Sequence, residues 1–169
     1  MVATKGVDYP DKELYEYVVA ELDKRNINQR TVGESAYELQ HMYFPNSEVE
    51  DFGAELANVL KKREVLNLIA TGLALDNLAT ENRLPQPLQF IVENDLGVFG
   101  VDETLAMAIS QLYGSIAQTN YGHADKEKTG LAKQLDNSGD RVNTFADDLF
   151  LALVSGVVGR FGHGSALKL

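Results

Sequence analysis

The sequence predicts an all-α fold, a multihelical bundle with a central apolar helix surrounded by the others, on three observations. Apolar residues recur at helical spacing through most of the 169 residues, hydroxyl and carboxylate residues pair at candidate helix starts, and no run of alternating strands or internal repeat interrupts them. DKELYEYVVAELDKR sets Leu14, Val18 and Leu22 four residues apart, on one face of a first helix. Thr31 with Glu34, and Ser47 with Glu50, fit the capping box and mark helix entries around 31 and 47. Pro45 cannot continue a helix, so HMYFPNSE connects the two.

Behind Lys61, Lys62 and Arg63, the segment EVLNLIATGLALDNLATEN is apolar on nearly every side through Leu66, Leu68, Ile69, Leu73 and Leu75, until Pro85 closes it. A helix apolar all round is buried in protein or lipid, and Glu64, Asn67 and Asp76 favour protein, so this helix is expected at the centre. PLQFIVEND reads as a short helix and NDLGVFG as a turn. VDETLAMAISQLYGSIAQ resumes helical spacing at Leu105, Ile109, Leu112 and Ile116. From Tyr121 to Val142 the polar character and three glycines suggest a loop with one short helix near Lys128 to Leu135. The last helix is expected to begin at Thr144 and run through LFLALVSGVVGR. There Gly156 and Gly159 would cost about 1 kcal/mol each relative to Ala in an exposed helix, which points to close approach of another backbone.

Length bounds the chain to a single domain over 1–169, with residues 1–60 as N-terminal helices of that same domain. Fifteen basic and 25 acidic residues give a net charge of −10, and 12 of the acids fall within residues 1–60. That balance, without a basic stripe, argues against nucleic acid as partner. The absence of cysteine removes thiolate zinc sites, disulfides and cysteine nucleophiles. The apolar run Leu149 to Val158 is shorter than the roughly 18–20 residues a membrane span needs, and the N-terminus lacks the apolar run of a secretory signal. The expectation is a cytoplasmic protein without a transmembrane segment; the quantity of apolar helix favours a homo-oligomer.

With three histidines and no HExxH, Walker or GxSxG motif, any chemistry falls to oxygen ligands. Two pairs of adjacent acids, Asp102-Glu103 and Asp147-Asp148, open apolar helices, and Asp125-Lys126 lies between them. First-turn carboxylates gain about 0.3–1 kcal/mol from the helix dipole, so each pair alone is accounted for by capping. Two unit charges 6 Å apart at an effective dielectric of 20 repel by roughly 3 kcal/mol, so carboxylates converging in a bundle call for a hard divalent cation, such as Mg²⁺ with phosphate as co-ligand. Thr71 is read as a helix-interior Thr bonding to the preceding turn, Gly72 as a packing contact, and Tyr121, His123 and Arg141 as exposed residues.

IATG at 69–72, VDE at 101–103, DK at 125–126 and DD at 147–148 opening LFLALVSG follow the order and approximate spacing of the phosphatidylglycerophosphatase A family. The chain most resembles its short branch without membrane spans, found in Gram-positive bacteria. The likeness runs from about Leu66 to Arg160. It departs from the membrane-integral members after ATG, where LALDNLATENRLPQPLQ replaces a Pro, Gly and Trp-rich segment, and before DD, where RVNTFA replaces glycines.

The resemblance implies an Mg²⁺-dependent phosphomonoesterase that dephosphorylates phosphatidylglycerophosphate to phosphatidylglycerol. It implies Asp102, Glu103, Asp147 and Asp148 as metal ligands, Asp125 as a further acid of the site, and Lys126 as the cation facing the phosphate. It also implies peripheral contact with the inner face of the cell membrane. Three alternatives stay open. They are a phosphatase for a soluble phosphomonoester, a non-catalytic self-associating helical module, and a nucleotide pyrophosphatase using Glu48, Asp51 and Glu55 on one helix face.

Overall fold

In the computed structural model, which describes residues 6–164, the apolar spacing resolves into nine helices and no strand among the described residues. In chain order they are α1 (Asp11–Asp23), α2 (Gln29–Gln40), α3 (Val49–Val59), α4 (Arg63–Thr80), α5 (Leu88–Glu93), α6 (Val101–Gln111), α7 (Gly114–Glu127), α8 (Gly130–Asp136) and α9 (Ala146–His163). The all-α multihelical fold is as expected. Residues 1–5 of the polar lead lie outside the described residues.

Val18 and Leu22 of α1 are buried and Leu14 is half-buried, the face their spacing predicts. The caps of the next two helices differ from the expected ones. Asn28, not Thr31, caps α2, and Thr31 supplies the reciprocal bond to the Asn28 amide. At α3 the reciprocal pair is Glu48 with Asp51. In both cases the hydroxyl or carboxylate sits one turn inside the helix and closes the box from within.

The central helix is α9, not α4. All residues from Ala146 to Gly159 are buried, and α9 packs against α2, α3, α4, α6, α7 and α8. Fully burying side chains such as Leu149, Phe150, Leu153 and Val154 contributes about 1.5–3 kcal/mol each. Helix α4 keeps Asn67 and Thr71 in solvent, with Leu68 and Leu75 only half-buried, because α1 covers one side of it and no helix covers the other completely. Gly159 confirms the expected close approach: a methyl there would lie 3.1 Å from the carbonyl oxygen of Tyr113, at the α6–α7 junction.

That junction breaks what the spacing predicts as one helix. Gly114 has φ +82°, a left-handed conformation that L side chains rarely adopt, and the chain turns there between α6 and α7. Helix α7 then continues through residues 121–127, where a loop was expected. Its amphipathic signal is weak because Tyr121 and Ala124 are buried toward α9 between exposed polar residues.

Helix α9 begins at Ala146, and Thr144 does not cap it. The Thr144 hydroxyl donates to the Val92 carbonyl oxygen at 2.6 Å. The cap comes from α4, where fully buried Asp76 accepts the amide hydrogens of Phe145 and Ala146. This ties the start of α9 to the helix that carries the IATG sequence.

Candidate functional site

Four helix ends meet at one place. Gly100, in a left-handed turn at φ +67°, starts α6 so that Asp102 and Glu103 fall in its first turn. The first turn of α9 carries Asp147 and Asp148, both buried. The C-terminus of α7 brings Tyr121, Asp125 and its capping residue Lys128, and the end of α8 brings Asp136. Acids at helix N-termini and a lysine at a helix C-terminus each match the local dipole.

The acidic pairs converge only in part. One carboxylate oxygen each from Asp102, Glu103 and Asp148 lie within 4.8 Å of one another. Asp147 is not among these three; it pairs with Lys128, whose Nζ is 2.6 Å from Asp147 Oδ2. The same ammonium is 3.7 Å from each of Asp148 Oδ1, Asp125 Oδ1 and Asp136 Oδ1. Lys128 therefore pairs most closely with Asp147 and only at longer range with Asp148, so it offsets part of the charge of the cluster and touches one acid of the triad.

The electrostatics follow. Burial, with the neighbouring Asp147 charge, pushes Asp148 up to about 9. Burial and the adjoining Glu103 push Asp102 up to about 7. Burial raises Asp147 to about 6 against the opposing pull of Lys128. Burial lowers the Lys128 ammonium, but its ion pair with Asp147 and the surrounding acids prevail, and its net shift is upward. Tyr121 is raised by burial and by Asp148 and Asp125.

Among the described residues, three buried carboxylate oxygens have no hydrogen-bond partner: Asp102 Oδ1, Glu103 Oε2 and Asp148 Oδ1. They come from the three residues of the triad. Unpaired buried oxygens are expensive, and three converging carboxylates that each carry one suit a hard cation that prefers oxygen ligands. The residues fit Mg²⁺, which Asp102, Glu103 and Asp148 could hold.

Lys126, next to Asp125 in sequence, is exposed and makes no ion pair with these acids among the described residues. Residues two apart on a helix point to nearly opposite sides, whereas Tyr121, Asp125 and Lys128 share one side at spacings of four and three. Reading 121–127 as helical would have found Lys128 and the burial of Tyr121, which is not an exposed residue as expected. Asp76 carries no local signal, since its partners lie about seventy residues on. Thr71 bonds to the Asn67 carbonyl oxygen, and Gly72 packs against Phe145 and Leu149, both as expected. Glu48 and Asp51 serve a cap and Glu55 pairs with Arg160, so these three form no separate acidic site.

Residues 26–163 match the phosphatidylglycerophosphatase A family. The chain belongs to that family. It is 39% identical over 155 residues to a Bacillus subtilis protein described as uncharacterized protein YpjQ, covering 92% of this chain and 88% of that one. It is 40% identical over 145 residues to the YutG protein of the same organism, likewise described as uncharacterized, covering 85% and 87% of the two chains. The crystal structure of the Bacillus subtilis ypjQ protein superposes with a TM-score of 0.87 at 38% identity, over 92% of this chain and 97% of that one. The low temperature requirement C protein of Listeria monocytogenes superposes with a TM-score of 0.86 at 38% identity, over 89% and 96%. As in the phosphatidylglycerophosphatase A likeness read from sequence, the matched segment contains all four helix ends of the acid cluster.

Proposed function

We propose that this phosphatidylglycerophosphatase A family member is an Mg²⁺-dependent phosphomonoesterase that converts phosphatidylglycerophosphate to phosphatidylglycerol. The observation that carries the reading is the convergence of Asp102, Glu103 and Asp148, each of which also has a buried carboxylate oxygen without a hydrogen-bond partner among the described residues, beside a lysine ammonium. Asp102, Glu103 and Asp148 hold the cation, and Asp147 fixes the lysine. Bound there, Mg²⁺ would supply neutralisation of phosphoryl charge and acidification of water.

The chain's own groups do the rest. The Lys128 side chain is 28% exposed and its ammonium sits among the acids, placed to donate to a phosphate oxygen as charge develops. Asp125 and Asp136 keep that ammonium charged and oriented. The role of phosphate-facing cation thus falls to Lys128, with Lys126 directed to solvent. Asp125, half-buried at the rim, is the further acid of the site.

Among the described residues no helix is long and apolar enough to cross a membrane. On this proposal the lipid headgroup is reached by peripheral contact at the inner face of the membrane, and the protein acts in the cytoplasm as a homo-oligomer. The test is phosphate release from phosphatidylglycerophosphate in detergent micelles, with and without Mg²⁺, for wild type and Asp148→Asn. Release that needs both Mg²⁺ and Asp148 supports the reading. Release only from water-soluble phosphomonoesters replaces the lipid, and no release under any condition leaves a non-catalytic helical module.

A further inference from the structure

Tyr121 is a buried polar group beside the acids to which the proposed chemistry gives no role. It is 3% exposed, yet its hydroxyl has no hydrogen-bond partner among the described residues. Other buried hydroxyls each donate to a backbone carbonyl oxygen: Ser110 to Ala106, Tyr113 to Val59, Thr144 to Val92 and Ser155 to Leu151. A buried phenol without a partner is unfavourable where phenylalanine would fill the same space, so this hydroxyl calls for a reason beyond packing.

Its position supplies one. On α7, Tyr121 shares a side with Asp125 and Lys128, both of which belong to the acid cluster, and α7 packs along α9, which carries Asp148. Burial, then the charges of Asp148, Asp125, Glu103 and Asp147, hold the proton on the phenol. Toward these acids Tyr121 is therefore a donor.

Asp148 is the acid that lacks one. Its Oδ1 is buried and unpartnered, and Lys128 Nζ, 3.7 Å away, lies closer to Asp147 at 2.6 Å. Glu103 also has an unpaired oxygen, but it belongs to α6 and its charge weighs less on the phenol than that of Asp148. A carboxylate that holds a cation is oriented by a hydrogen bond from a group behind it, and a buried hydroxyl with no other partner suits that task.

We propose that Tyr121 is a positioning residue of the metal site, its hydroxyl serving as the hydrogen-bond donor that orients the Asp148 carboxylate toward the cation. The inference rests on the reading of Asp102, Glu103 and Asp148 as the holders of Mg²⁺. Tyr121 acts through Asp148 and touches neither cation nor phosphate.

The test compares Tyr121→Phe, which keeps the ring and removes the hydroxyl, with Tyr113→Phe, which removes a hydroxyl bonded to the backbone. Titration calorimetry of the full chain with Mg²⁺ alone reads affinity, and thermal unfolding without cation reads the fold. Tyr121→Phe is expected to weaken Mg²⁺ binding by about ten- to a hundredfold, the usual effect of losing a group behind a metal ligand, with a cation-free Tm equal to or above wild type. Tyr113→Phe should lower the cation-free Tm and leave Mg²⁺ affinity within about twofold of wild type. The wild type should also show a tyrosine absorbance difference on addition of Mg²⁺ that Tyr121→Phe lacks. Mg²⁺ affinity within about twofold of wild type in Tyr121→Phe, or an absorbance difference that survives the substitution, overturns the role of Tyr121 and leaves the phosphomonoesterase reading standing. Weakened binding in Tyr121→Phe, with no phosphate release from any ester by the wild type, overturns the phosphomonoesterase reading and leaves Tyr121 as support of a metal site. Absence of Mg²⁺ binding to the wild type overturns both.

Discussion

Asp76 Oδ2 accepts the amide hydrogen of Ala146 at 2.9 Å, joining the middle of the chain to the helix that carries two of the site acids. Phe145 donates to the same carboxylate, at 3.0 Å to Oδ1. The first turn of α9 is therefore held from α4. Asp76→Ala is expected to lower stability by about 1–2 kcal/mol, the usual range for a lost cap, and to weaken Mg²⁺ stabilisation by loosening Asp147 and Asp148. Asp76→Asn keeps an acceptor oxygen and should fall between. Urea unfolding at unchanged m, with and without Mg²⁺, checks both effects; Mg²⁺ stabilisation equal to wild type in Asp76→Ala would contradict the second.

Lys128, rather than Lys126, should carry the charge that faces phosphate. Removing one donor aimed at developing oxygen charge typically lowers turnover by about 10²–10³-fold, so Lys128→Met is expected to lose activity on that scale. Lys126→Met should lose far less, because Lys126 is exposed and outside the ion pairs of the cluster. The comparison of kcat/KM between the two variants decides the assignment.

The site acids make the effect of Mg²⁺ depend on pH. Asp148 at about 9 and Asp102 at about 7 lie above the ordinary carboxylate range, so in the fold they hold protons that the unfolded chain has lost. Their contribution without cation therefore becomes less favourable as pH rises from about 4 toward those values. A cation binds the ionised forms and displaces the protons. The Mg²⁺-induced rise in Tm should be larger at pH 8 than at pH 6, and a rise of equal size at both would contradict the triad as the binding site.

Acid stability should depend on a different carboxylate. Glu21 of α1 is buried, and although burial raises it, hydrogen bonds from Asn77, Lys24 and Arg25 outweigh burial and bring it down to about 2. Its folded value lies below the unfolded one. The stability it contributes, on the order of 3 kcal/mol, is present above about pH 4.5 and is lost as pH falls through about 2. Glu21→Gln should flatten the acid limb of Tm against pH between 4.5 and 2 while lowering Tm at pH 7.

Gly72 packs where no side chain fits. A methyl at this position would lie 2.8 Å from Leu149 Cδ1 and 3.1 Å from Phe145 Cβ. Gly72→Ala is expected to cost about 1–3 kcal/mol by forcing α4 from α9, measured as a lower urea midpoint.

What the sequence makes legible follows the range of each interaction. The face of Leu14, Val18 and Leu22, the back-bonded Thr71 and the packing role of Gly72 and Gly159 are local or depend on side-chain size, and the spacing predicts them. The pairs Asp102-Glu103 and Asp147-Asp148 are visible as first-turn acids, yet their division of labour is not. Which oxygens converge depends on how α6 and α9 cross, and on Lys128 occupying Asp147. Asp76 is hidden for the same reason, because its partners are chosen by packing. Helix α7 is missed at Tyr121 because a narrow buried face on a polar helix gives little periodic contrast.

The most direct measurement is a crystal structure of the protein soaked with Mn²⁺ in place of Mg²⁺, read by anomalous scattering at the manganese edge. The account predicts one strong peak at ligand distance, about 2.1–2.2 Å, from oxygens of Asp102, Glu103 and Asp148, with Lys128 still on Asp147. No peak at the triad under saturating Mn²⁺, or a peak only at surface acids elsewhere, would contradict it.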